Sequence, residues 1–170
     1  MNSPRLLVAG IGNTFLGDDA FGVEVTTALA RWPFPTGVRV EDFGIRGVHL
    51  AYELLDGYDA VVLVDAMHHG GEPGSIAVVE LDGRDESGPS EDGDAPVLEA
   101  HSMTPDAVLS MLTGLGGRVR RALVVGCEPE DVSEGIGLSA TVAASVPSAA
   151  ATVVQLVDEV LQQLAEEIPA

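Results

Sequence analysis

The sequence contains no lysine, and all eight of its basic residues are arginine. This absence excludes a P-loop lysine that holds phosphate, a Schiff-base lysine and a Ser-Lys catalytic dyad. Acidic residues number 27, which gives a formal net charge of −19. Nucleic acid and anionic membranes attract basic surfaces, so a chain this acidic opposes binding to either. We therefore expect neither nucleic acid nor a membrane as a partner.

Cysteine occurs once, at Cys127. A single thiol excludes an intrachain disulfide and any zinc site built from several cysteines. The apolar run after Arg5 breaks at Gly10, which makes it too short for a secretory signal peptide, and we find no stretch long enough to span a bilayer. These absences predict a cytoplasmic protein. No G-x-S-x-G motif is present either, so nothing supports a serine enzyme of the α/β-hydrolase type.

The chain has 170 residues, of which 46% are hydrophobic. That length and composition suit one globular domain covering residues 1–170. Apolar strand-like segments alternate with segments of helical periodicity, which predicts an α/β fold: a mostly parallel, twisted sheet of about five strands with helices on both faces. We expect strands at residues 5–9, 37–42, 60–64, 75–81 and 121–125, and helices at 21–32, 48–55, 104–115 and 139–166.

Three further features of this fold follow from local signals. The connection before residues 75–81 is too short for a parallel crossover, so we expect that strand to be antiparallel and at a sheet edge. Pro147 predicts a kink or a short turn inside the last helical segment. Residues 83–96 are polar, acidic and glycine-rich, which is typical of a mobile surface loop.

A glycine turn and two carboxylates follow the first strand. Gly10 and Gly12 fit either a tight turn or close approach of a ligand, but Phe15 occupies the place of the third glycine in a dinucleotide-binding fingerprint, which argues against a nicotinamide or flavin site. Of the adjacent Asp18 and Asp19, we expect one to cap the following helix and the other to be free for a ligand. Glycine at position 22 weakens a helix, and we attribute it to close backbone packing or a partner.

Polar residues also follow later strands, at Asp42, Asp65 and Glu128. Together with His101, Asp19 and Asp65 fit a site of two oxygens and one imidazole for a hard or borderline metal ion. Simpler roles stay open: capping or a turn for the aspartates, and a solvated loop position for the histidine. His68 and His69 are a weaker metal alternative, since adjacent side chains rarely converge on one ion. Cys127 with His101 as its base is a third possibility, opposed by the view that Cys127 is a small apolar residue at a strand end.

These residues stand in an order that resembles the hydrogenase maturation endopeptidases. The resemblance runs through nearly the whole chain, and its first stretch is the most specific. The stretches that carry it are Gly10-Ile11-Gly12-Asn13, Gly17-Asp18-Asp19-Ala20-Phe21-Gly22-Val23, Asp42-Phe43-Gly44-Ile45-Arg46-Gly47, Val64-Asp65-Ala66, His101-Ser102, Gly126-Cys127-Glu128-Pro129 and Gly135-Ile136-Gly137-Leu138-Ser139.

The resemblance implies a protease that cuts a C-terminal extension from the large-subunit precursor of a nickel-iron hydrogenase once nickel is in place. It implies that Asp19, Asp65 and His101 are the catalytic, metal-contacting set, and that the nickel is carried by the substrate, while another divalent cation can occupy the site in the free enzyme. Family members carry Glu or Asp at the position of Asp19. The turn at Asp42 is implied in substrate handling, and the residues we assign to substrate binding are Asn13, Asp42, Gly44, Arg46 and Gly47.

Two other functions remain open at this point. A non-hydrolytic protein of the same fold could act as a nickel checkpoint, and a small-molecule hydrolase could use Cys127. The acidic stretch 83–96 looks longer than the family requires, and the family does not use a thiol at Cys127.

Overall fold

The computed structural model describes residues 3–81 and 104–167. His101 and the acidic stretch 83–96 therefore lie outside the described residues. The strands are β1 (Leu6–Ile11), β2 (Val38–Gly44), β3 (Ala60–Ala66), β4 (Ile76–Leu81) and β5 (Arg121–Cys127). The α-helices are α1 (Phe21–Leu29), α2 (Gly47–Leu54), α3 (Pro105–Gly114), α4 (Ala140–Ala143) and α5 (Val146–Glu166), and a 3₁₀ turn, Gly17–Ala20, precedes α1.

The five strands form one mixed sheet in the order β2-β1-β3-β5-β4. Strands β1, β2, β3 and β5 are parallel, and β4 pairs with β5 in the antiparallel sense at the sheet edge. Both the fold class and the antiparallel edge strand were predicted, and both are confirmed. The central strands β1 and β3 are almost wholly buried, as expected for parallel strands covered on both faces.

Alternate residues of the strands face two separate apolar layers. Leu6 and Val8 pack in the layer that contains α1 and α5, whereas Leu7 and Ala9 pack in the layer that contains α2 and α3. This division follows from the two-residue repeat of side-chain direction along a strand. The predicted placement of helices on both faces is confirmed.

The structure corrects our expectation about membrane spans. Within the part of the chain that the structure describes, one helical segment, Ala140–Glu166, has the length and apolar composition of a span, with a mean hydropathy of 1.5. A turn at Ser145 interrupts it before α5, as Pro147 suggested. Its buried residues repeat at helical spacing and join the core against the sheet, which is the pattern of an amphipathic core helix. They are Ala149, Val153, Val157, Val160 and Leu164.

Several element ends differ from the sequence prediction. Helix α1 ends at Leu29 instead of residue 32, and β3 and β5 each run two residues further than predicted. Asp65 therefore lies within β3, paired with Gly126 across the sheet, and its backbone is held by the strand ladder. The predicted helix start at Thr104 is confirmed, because its side chain accepts the Ala107 N–H.

Glycines let α1 lie directly on the central strands. A Cβ atom on Gly22 would stand 2.1 Å from the carbonyl oxygen of Val64, and one on Gly10 would stand 2.4 Å from the carbonyl oxygen of Gly22. Any side chain at either position would push the helix away from the sheet. Close backbone packing thus accounts for the helical glycine, and it fixes the start of α1 at the end of β1.

An acidic cleft at the carboxyl ends of the parallel strands

A cleft of about 340 Å³ opens at the carboxyl ends of the parallel strands. This edge of an open α/β sheet is where such folds bind ligands. Asp19 and Asp65 both lie in it, the first from the 3₁₀ turn and the second from the end of β3. The cleft is lined by Gly12, Asn13, Leu16, Asp19, Gly44, Ile45, Asp65, Ala66, His68, Thr104, Pro129 and Val132.

Asp65 is the most perturbed carboxyl group of the cleft. The residue is only 9% exposed. Burial first, and then the nearby Asp19 carboxylate, together raise the pKa of its carboxyl group to about 8, while the Ala66 N–H opposes the change. Desolvation and a like charge both disfavour the ionised form. Near neutral pH the Asp65 carboxyl group therefore holds a proton that a cation entering the cleft can displace.

Asp19 is fixed to the glycine turn. Its Oδ2 accepts the backbone N–H of Asn13 at 2.8 Å. A Cβ atom on Gly12 would stand 1.8 Å from the Asp19 carbonyl oxygen, and the φ angle of Gly12 is +138°, so only glycine fits beside the acidic turn. Between the two interpretations of the glycine turn, Gly12 serves close packing that sets the position of Asp19.

The expectation that one of the two aspartates caps α1 is wrong. Helix α1 begins after Ala20, and no side chain bonds to its first N–H groups. The 3₁₀ turn holds both aspartates before the helix and gives each a different partner. Asp18 points into the protein and is completely buried, whereas Asp19 faces the cleft.

Asp18 organises the loop that follows β5. Its Oδ2 accepts the N–H groups of Glu130 and Asp131, each at 2.9 Å, and its Oδ1 accepts the N–H of Ser139 at 2.7 Å. Burial acts to raise the pKa of Asp18, but these N–H groups outweigh it and hold the pKa below its usual value. The buried carboxylate thus holds one wall of the cleft, where Val132 lies.

The residues assigned to substrate binding mostly gather beside the cleft. Asn13, Asp42, Gly44 and Arg46 line a shallow depression that adjoins it. The Asp42 side chain accepts the Gly44 N–H at 2.7 Å, and the Arg46 guanidinium donates to the Asp42 carbonyl oxygen at 2.6 Å. Gly47 is instead buried as the first residue of α2. Substrate binding by this turn stays a prediction.

His68 and His69 diverge, as their adjacency suggested. The Nδ1 atom of His68 lies 2.9 Å from Glu128 Oε1, and His68 also lines the cleft. The Nε2 atom of His69 instead faces the Ser75 carbonyl oxygen at 3.1 Å. The hydrogen bonds from His68 and from the His69 N–H lower the pKa of Glu128. Sequence reasoning gave His68 no separate role in the cleft, although its place three residues after Asp65 puts it there.

Within residues 3–81 and 104–167, no group of three His, Cys, Asp or Glu side chains could hold a metal ion. Asp19 and Asp65 supply two oxygen ligand groups, and the predicted third ligand, His101, lies outside the described residues. The metal-contacting role of all three stays a prediction. Thr104, which follows the undescribed segment, lines the cleft, so the chain returns to this edge of the sheet close to His101 in sequence.

Cys127 is poorly suited to act as a nucleophile. Its side chain is completely buried in the apolar layer that contains α5. Burial first, and then the Asp18 and Glu128 carboxylates, together raise the pKa of the thiol to about 11. A nucleophilic cysteine requires an accessible thiolate, so the geometry supports the alternative view of a small apolar residue at the end of a strand.

Known proteins share both the sequence pattern and this fold. Residues 23–156 match the family HycI, described as hydrogenase maturation protease. The hydrogenase expression/formation protein HupD of Rhizobium leguminosarum bv. viciae is 32% identical over 91% of this chain and 74% of its own length. HoxM of Azotobacter vinelandii is 32% identical over 79% of this chain, which spans 62% of that protein's length.

The structural comparison covers both chains almost completely. The hydrogenase maturating endopeptidase HybD of E. coli superposes with a TM-score of 0.71 and 28% identity, over 91% of this chain and 93% of that chain. Its match supports the same five-stranded fold, and the resemblance noted from the sequence is confirmed. The chain belongs to the hydrogenase maturation protease family, and its activity class is that of a peptidase.

Proposed function

We propose that this protein is the cytoplasmic endopeptidase that removes the C-terminal extension of a nickel-iron hydrogenase large-subunit precursor after nickel insertion. The observation that carries the proposal is the pairing of the nearly buried Asp65 carboxyl group with Asp19 in an open cleft. Two neighbouring carboxyl groups disfavour ionisation of each other, and a cation that binds between them relieves this repulsion. In a protein of this family, the cation that fits is the metal of the folded precursor.

In this proposal the nickel belongs to the substrate, and the cleft recognises it. Asp19 and Asp65 supply carboxylate oxygens, and His101 supplies an imidazole nitrogen, a set that suits a borderline divalent ion. Three protein ligands leave open positions for the ligands that the precursor itself provides. In the free enzyme, another divalent cation can occupy the same groups.

Recognition of the metal is linked to deprotonation of Asp65. When the metal of the precursor approaches, the Asp65 carboxyl group releases its proton to solvent, and the carboxylate that remains pairs with the metal. Asp19 stays oriented by the Asn13 N–H, so the site needs little rearrangement. The peptide then lies along the Asp42–Arg46 turn, which adjoins the cleft, and water adds across the scissile bond.

The competing function that the same cleft allows is a nickel checkpoint that binds the precursor without cutting it. It would use the same cleft, so binding alone does not separate the two. The Cys127 hydrolase has lost support, because its sulfur is buried and its thiol pKa is raised to about 11.

The decisive experiment incubates the protein with nickel-loaded and nickel-free precursor and follows the mass of the large subunit. We expect the wild type to release a C-terminal fragment from the nickel-loaded form only. His101→Ala and Asp19→Asn should abolish release with little change in melting temperature, while Cys127→Ala, the matched control, should process normally. Stable binding without a fragment would favour the checkpoint, and loss of cleavage in a folded Cys127→Ala would favour the thiol enzyme.

A further inference from the structure

Five large apolar side chains stand exposed around the mouth of the acidic cleft. Ile136 is 84% exposed and Phe15 is 65% exposed. Leu16, Ile45 and Val132 line the cleft itself, and Phe15 lines the shallow depression that adjoins it. Ile136 lines neither, but it directly follows Gly135, which pairs with the loop that carries Phe15 and Leu16. We call this set the apolar rim, and its members are Phe15, Leu16, Ile45, Val132 and Ile136.

Backbone pairing holds together two of the three loops that carry the apolar rim, the loop of Phe15 and Leu16 and the loop of Val132 and Ile136. Gly17 N–H donates to the Gly135 carbonyl oxygen at 2.9 Å, and Gly135 N–H donates to the Phe15 carbonyl oxygen at 2.8 Å. These bonds form a short parallel bridge between Leu16 and Gly135. The buried Asp18 carboxylate ties the same two loops together a second time. The exposed side chains are therefore presented on a fixed frame.

The frame places Ile136 where it contributes almost nothing to folding. An isoleucine stabilises a protein through the apolar surface it removes from water, and this one removes little. Leu138 and Val142, further along, pack against the core instead. A contiguous exposed apolar patch with polar surroundings is typical of a surface that binds another protein. Ile136 also has no part in the chemistry proposed for the Asp19 and Asp65 carboxyl groups.

The charges beside the apolar rim indicate what can cover it. Glu130, Asp131 and Glu134 are exposed on the same loop as Ile136. A second copy of this chain would bring an equally acidic surface, with a net charge of −19, against these carboxylates. Like charges facing each other across an interface oppose association. The surface fits a partner segment that has apolar side chains with basic residues next to them.

We propose that the apolar rim docks the precursor segment that flanks the cleaved bond, an extended stretch of apolar side chains accompanied by basic residues. This inference rests on the proposed function, because the rim is continuous with the cleft where cleavage would occur. The segment would lie across Ile136 and Phe15 and place its scissile bond between Asp19 and Asp65. Rim residues would then set affinity for the precursor, whereas the cleft groups would set the chemical step.

The test compares Ile136→Ser and Phe15→Ser with Trp32→Ser. Trp32 is 52% exposed and lies in a groove between α1 and α5 instead of the cleft, so it serves as a matched control. With nickel-loaded precursor, we expect each rim variant to raise KM by roughly tenfold, the effect of losing one buried apolar side chain, and to change kcat by less than about twofold. Trp32→Ser should match the wild type, and Ile136→Leu should restore the KM.

Direct binding of the precursor separates failure of this inference from failure of the proposed function. The dissociation constant is measured by titration calorimetry for wild type and both rim variants, whether or not cleavage occurs. If the wild type is active and both variants keep its KM and Kd, the docking role of the apolar rim is refuted, while the proposed protease function stands. If the wild type binds the precursor more tightly than the rim variants do but never cleaves it, the proposed protease function is refuted instead. Sedimentation that shows a wild-type dimer and a monomeric Ile136→Ser would assign the rim to self-association and overturn the docking proposal.

Discussion

Replacing Asp65 with asparagine should stabilise the protein while it abolishes activity. The carboxyl pKa is about 3.8 in an unfolded chain and is raised to about 8 in the folded protein. Between these two values the folded protein keeps a proton that the unfolded chain has lost. The contribution of Asp65 to stability is therefore fully present below pH 4 and is lost as the pH rises towards 8.

The magnitude follows from the width of that pH window. Each pH unit inside it costs about 1.4 kcal/mol of the free energy of unfolding, so at pH 7, roughly three units above the unfolded pKa, the cost reaches about 4 kcal/mol. An asparagine at this position needs no proton, and its amide oxygen can still accept the Ala66 N–H. We expect Asp65→Asn to gain stability over the wild type by about 1.4 kcal/mol per pH unit, with a plateau above pH 8.

Urea unfolding of both proteins across this pH range measures the difference directly. Asp158→Asn is the matched control, because Asp158 is exposed on α5 and the same side-chain replacement is made there outside the cleft. The difference between the control and the wild type should be small and flat with pH. A stability difference for Asp65→Asn that does not grow with pH, or an equal slope in the control, would refute the view that Asp65 stays protonated by burial and by Asp19.

Two further predictions concern the groups on either side of that site. Asp18→Asn should destabilise the fold by roughly 2–4 kcal/mol at neutral pH, because buried N–H groups lose a charged acceptor; in the wild type this contribution should fade only as the pH drops below about 4, towards the lowered pKa of Asp18. Chemical denaturation over a range of acid pH measures both effects, and a neutral variant would show that the loop is held by other contacts. Manganese or nickel chloride should raise the melting temperature of the wild type by linkage but not that of Asp65→Asn. Equal shifts in both proteins would place cation binding elsewhere on this acidic surface.

The sequence predicted the layered fold well because its signals are local. Apolar runs, glycine turns and the Thr104-Pro105 helix start each depend on a few neighbouring residues, and the short connection before β4 required an antiparallel edge strand. The ends of β3 and β5 were missed by two residues, since pairing with a neighbouring strand extends each ladder beyond its apolar run.

The site was only partly predictable for the same reason. Asp19 and Asp65 are marked by their places after strands, and the structure brings both to one cleft. The sequence could not show that Asp18 is buried while Asp19 faces the cleft, because the partners of Asp18 come from a loop more than a hundred residues away. The apolar rim was likewise hidden, since exposure of Ile136 depends on the pairing of two distant loops.

The bonds of Asp18 also dictate when the cleft can form during synthesis. Its N–H partners lie 112, 113 and 121 residues later in the chain, and a chain leaves the ribosome from its N-terminus. The glycine turn and both aspartates are therefore made long before the loop that holds them in place. β5 also arrives late, although it lies between β3 and β4 in the finished sheet. An unfinished chain thus carries its acidic pair without the wall of the cleft, and the complete cleft can form only after Ser139 has been made.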